Sequence, residues 1–175
     1  MSRSFLLALL GCSALIAQAS NALVSEAKFP WTVVRDNLLK MAERMPAENY
    51  SFKPTPEIES FGQRMAHIAG ANLFVCQGVM GRQSTPSRPA ATSKPELIAL
   101  LKQASTTCDS AFDSLSDAAA TEKINSRLGG PFPPGPTRTK LATLNNMVRH
   151  SNEVYGYMCV YLRLKGIVPP STAPE

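Results

Sequence analysis

The chain has 175 residues, 18 basic against 13 acidic side chains, a net charge of +5 and 44% hydrophobic residues, which suits one domain with a sizeable core. Its lysines and arginines are scattered and not interleaved with aromatics, which argues against a nucleic-acid groove, where clustered cations must neutralise phosphates. Beyond the first residues no stretch is apolar enough to span a membrane.

Residues 1–19 read as an export signal. Arg3 supplies a basic start, Phe5 to Leu10 and Ala14 to Ile16 are apolar, and Ala17-Gln18-Ala19 is a small-x-small cleavage pattern. Cleavage after Ala19 sends residues 20–175 to the periplasm or outside the cell as one domain. It removes Arg3 and leaves 17 basic against 13 acidic residues, a net +4. A rival reading takes Leu9-Leu10-Gly11-Cys12 as a lipoprotein box, with Cys12 lipidated and retained as an anchor.

Four helices follow from the apolar spacing. In the first, Trp31, Val34, Leu38, Met41 and Met45 recur every three or four residues, and Pro46 stops the pattern. Pro54 and Pro56 keep the connector extended. The second helix runs from about Ser60 to Arg82 on Phe61, Met65, Ile68, Val75 and Val79. Ser84 to Thr92 is a polar, proline-broken loop, after which Ser93 and Glu96 form a capping box with Pro95 in the first turn. Leu97, Leu101, Ala104, Cys108, Ala111 and Leu115 carry the third stripe.

Between Ser116 and Pro136 the periodicity fails. The tract Gly129 to Pro136 fits neither helix nor central strand, because its prolines fix φ and remove donors. It reads as a stiff connector, with a lid over a pocket as the rival reading. The fourth helix spans about Arg138 to Lys165 and is ended by Gly166. One line holds Leu141, Leu144, Val148, Tyr155, Met158 and Leu162; the adjacent line holds Met147, His150, Val154, Tyr157 and Tyr161. A helix this apolar is the central element of an all-α bundle.

Cleavage leaves Cys76, Cys108 and Cys159, so at most one bridge forms. Cys76 with Cys108 is favoured because it would tie consecutive helices, and the spacing leaves the other pairings open.

The chain holds two histidines, His67 and His150, each inside a half-apolar helical stretch. The bland reading of each is a packed histidine satisfied by one hydrogen bond. Small residues Gly70 and Ala71 beside His67 would let a helix or a ligand approach closely. No Gly-x-Ser-x-Gly elbow, phosphate-cradling glycine loop or Cys-x-x-Cys pair is present. Cys159 lies nine residues from His150, some 13 Å along the helix, which excludes direct activation of the thiol. Asp36 and Glu43 read as surface charges.

The segments Tyr50-Ser51-Phe52-Lys53-Pro54, Ser60-Phe61-Gly62 and Met65-Ala66-His67-Ile68-Ala69 resemble the DinB/YfiT-like superfamily of metalloenzymes. His150 to Gly156, followed by Tyr161 to Pro170, resembles the last helix and tail of that family, so the likeness covers roughly Trp31 to Ser171. It implies an up-and-down four-helix bundle with zinc or nickel held by three histidines: one from the second helix and two from the last as His-x-x-x-His. His67 matches the first position and His150 the second, but the third is Val154, which has no donor atom.

Glu153, three residues after His150, is the one nearby substitute ligand, and its other reading is a solvated charge beside Arg149. Tyr157 is too far along the axis to join. Two protein ligands fall short of the three that catalytic zinc normally keeps, so the expected cofactor is none, or a weakly bound divalent metal. The resulting expectation is an exported, non-catalytic bundle that binds a small molecule in its former metal pocket or serves as a scaffold. The alternative is a divalent-metal-dependent thiol transferase or hydrolase with a substituted third ligand. The oligomeric state is open, a homodimer included.

Overall fold

The structure, a computed structural model, describes residues 21–82, 93–124 and 137–173. The expected export signal over residues 1–19, Cys12, the loop after Gln83 and the Gly129–Pro136 tract lie outside the described residues.

Four long helices form the all-α bundle: α1 (Ala22–Arg44), α2 (Phe61–Val79), α3 (Lys94–Asp113) and α5 (Lys140–Leu164). A single turn, α4 (Asp117–Ala120), and a two-residue antiparallel ladder of β1 (Lys123–Ile124) with β2 (Arg138–Thr139) connect α3 to α5. Both fall where the apolar periodicity fails. Ser116 caps α4 by accepting from the Ala119 amide, and Thr139 caps α5 by accepting from the Ala142 amide.

α1 begins some nine residues before the apolar stripe that announces it. Asn21 makes no side-chain cap there. The Asp117 carboxylate instead accepts from the Leu23 and Val24 amides at 3.1 and 3.0 Å, filling two orphan donors from ninety residues away. Pro30 interrupts the helix ladder on an exposed face, where water can serve the freed carbonyl. At the far ends of α2 and α5, Gly81 and Gly166 adopt φ of 75° and 72°. Each closes a Schellman motif, with Arg82 donating to the Gln77 carbonyl and Ile167 to that of Leu162.

The helix directions refine the expected topology. Lys28 of α1 pairs with Asp113 of α3, and Lys94 at the start of α3 donates to the Met45 carbonyl after α1, so these two are antiparallel. Gly62 and Cys76 of α2 face Leu97 and Cys108 of α3, so those two advance together. Tyr161 donates to the Glu59 carbonyl and His150 meets His67, which makes α2 and α5 antiparallel. The order is up-down-down-up, not a strict alternation.

Close packing fixes where α2 starts. The Gly62 amide donates to the Tyr50 carbonyl at 2.8 Å, and a Cβ at Gly62 would lie 3.1 Å from that same oxygen. Ser60 and Gln63 complete a capping box on the same turn. Tyr50 packs edge-on against Phe61 and donates to the Ala42 carbonyl at 2.7 Å, and its burial pushes the phenol well above its ordinary range. The core is continuous through all four long helices, with Trp31, Phe61, Phe112 and Met158 among its fully buried side chains.

Candidate functional site

His67 sits two turns into α2 and His150 near the middle of α5, so the antiparallel crossing sets them at the same level. Their Nε2 atoms are 3.1 Å apart. The ring centroids are 5.3 Å apart and the planes 86° to each other. That centroid separation is almost the N–N gap plus roughly 1.1 Å from centroid to nitrogen on each side, so the two nitrogens point nearly head-on. At that distance the two nitrogens are within hydrogen-bond reach, with the donor and acceptor roles set by the tautomers.

The pair lies at the groove between α2 and α5 and not in the deep interior: both rings are partly buried, and the His150 side chain is 32% exposed. One turn along α5, Val154 is 1% exposed and belongs to the core cluster. It is an apolar core side chain at the position where the superfamily resemblance implies a third ligand. Among the described residues no group of three or more His, Cys, Asp or Glu could hold a metal ion.

Glu153 lies on the other side of the His150 ring. Its Oε2 is 3.7 Å from Nδ1, the nitrogen that faces away from His67, and 3.3 Å from an Arg149 guanidinium nitrogen. Tyr157 donates to its Oε1 at 2.9 Å. The carboxyl is held below its usual range chiefly by that hydroxyl, with Arg149 and His150 adding to the effect against a desolvation that opposes it. Glu153 therefore stands on the Nδ1 side of His150, away from the two facing Nε2 atoms. Tyr157 is 53% exposed and turns outward to meet Glu153, so the line running through His150 and Val154 leaves the core at this residue.

Sequence reasoning missed two further polar side chains of this seam. Ser151, fully buried, donates to Asn72 Oδ1 at 3.1 Å across the α2–α5 contact. Asn72 is 1% exposed, and its Nδ2 has no hydrogen-bond partner among the described residues. The signal was present: an asparagine on the apolar stripe of a helix otherwise lined by valine, isoleucine and methionine. One turn further along α2, Cys76 is joined to Cys108 with their Cα atoms 5.1 Å apart, tying α2 to α3.

Cys159 is a free, half-buried thiol. Burial pushes it above its ordinary range, with Tyr155 and Arg163 acting the other way. Asp36 pairs with Arg35, and Glu43 lies 3.8 Å from Lys102 on an exposed face.

Comparison with known proteins gives the same bundle. A DinB-like protein from Bacillus cereus ATCC 10987 superimposes with a TM-score of 0.67 at 20% identity, over 82% of this chain and 93% of that one. A DinB-like protein (YjoA) from Bacillus subtilis gives 0.62 at 18% identity, over 89% and 96% of the two chains. At such identities the likeness shows the fold. No curated protein sequence matches. The sequence model described as the DinB superfamily matches residues 31–158, which spans the first long helix to the histidine-bearing turns of the last. This chain belongs to the DinB superfamily.

Proposed function

We propose that this chain is an exported DinB-superfamily bundle in which the metal position has become a hydrogen-bonded histidine pair. On this reading it carries no catalytic metal and serves as a small-molecule binder or a scaffold. The observation that carries the reading is the 3.1 Å head-on contact of the two Nε2 atoms beside a buried valine. A metal needs both nitrogens bare and converging on a third point, so uptake must first break the shared proton bond. A third protein donor would then be needed at the same point, and neither Val154 nor Glu153 supplies one. The residues present do not fit a three-ligand centre.

A second reading, a divalent-metal-dependent thiol transferase or hydrolase with a substituted ligand, draws on one observation. Two ligand nitrogens of a tetrahedral zinc site stand roughly 3.3–3.4 Å apart, given bonds of about 2.0–2.1 Å, and the histidine pair is close to that edge. Titrating zinc and nickel into the untagged mature protein and into Val154→His separates the readings. The first expects tight binding of one metal only in the variant, or in neither protein. Equally tight binding in both would favour the second.

Export is supported by residues 1–19 and by a buried Cys76–Cys108 bridge, which suits an oxidising compartment. Intact mass of the mature protein tests it: a start at Ser20 fits the soluble form, and a lipidated Cys12 fits the anchored alternative.

A further inference from the structure

We draw no further inference here: the strongest candidate, the exposed apolar stripe of Tyr157, Val160 and Leu164 on the outward face of α5, carries nothing because the charges beside it, Glu153 and Arg163, are already held within the chain and nothing in the structure shows what covers it.

Discussion

Along the α1–α3 seam, the polar side chains find partners, carboxylates or backbone carbonyls. Asp109 accepts from Trp31 Nε1 at 2.8 Å and from Arg35 through both oxygens at 2.9 Å, while Lys28 reaches Asp113 and Lys94 donates to two carbonyls. The α2–α5 seam is treated differently. There two imidazoles meet Nε2 to Nε2, a serine and an asparagine meet across the helices, and the Asn72 amide nitrogen stays without a partner among the described residues. Both seams close the same core. The first satisfies what it buries; the second leaves a buried donor without a partner among the described residues, a condition that costs about 1–3 kcal/mol.

The comparison can be sharpened by substitution. The largest loss should come from the tie that holds α2 in place: replacing Cys76 and Cys108 by alanine should cost about 2–4 kcal/mol, read as a fall in the urea midpoint. Next, Asp109→Ala leaves Trp31 without its acceptor and Arg35 with Asp36 alone, and should cost roughly 2–3 kcal/mol by the same measurement. Asn72→Leu combined with Ser151→Ala removes both partners of the α2–α5 bond and should stay within about 1 kcal/mol of wild type. If this double variant loses as much as Asp109→Ala, the contrast between the seams fails.

The smallest effect concerns Cys159. Its thiol holds its proton above the ordinary range because it is half-buried, so alkylation by iodoacetamide should require a more alkaline pH than for a model thiol. The folded chain keeps that proton longer than the unfolded one. The contribution is therefore fully present below the ordinary thiol range, and it declines as pH rises through the raised value. Reaction at the rate of a free model thiol would contradict this.

Much of the bundle was legible because burial writes itself at three and four residue intervals. Phe61, Met65, Ile68, Val75 and Val79 are buried or nearly so, and the capping boxes at Ser60 and Ser93 mark true starts. What was not legible depends on distant contacts. No local pattern announces that Asp117 caps α1, and α1 therefore reads short. Nor does spacing tell that α2 and α3 run parallel, since long connectors permit either direction. At the site, the level of His67 with His150 was inferable from the superfamily likeness and the gap at Val154 from the sequence. The side of the His150 ring that Glu153 takes is set by rotamers and could not be read.

On the proposed function, the histidine pair holds a proton and not a metal. Elemental analysis of the purified, untagged protein tests it most directly. The account expects zinc and nickel far below one atom per chain; a content near one per chain, lost together with His67→Ala, would contradict it.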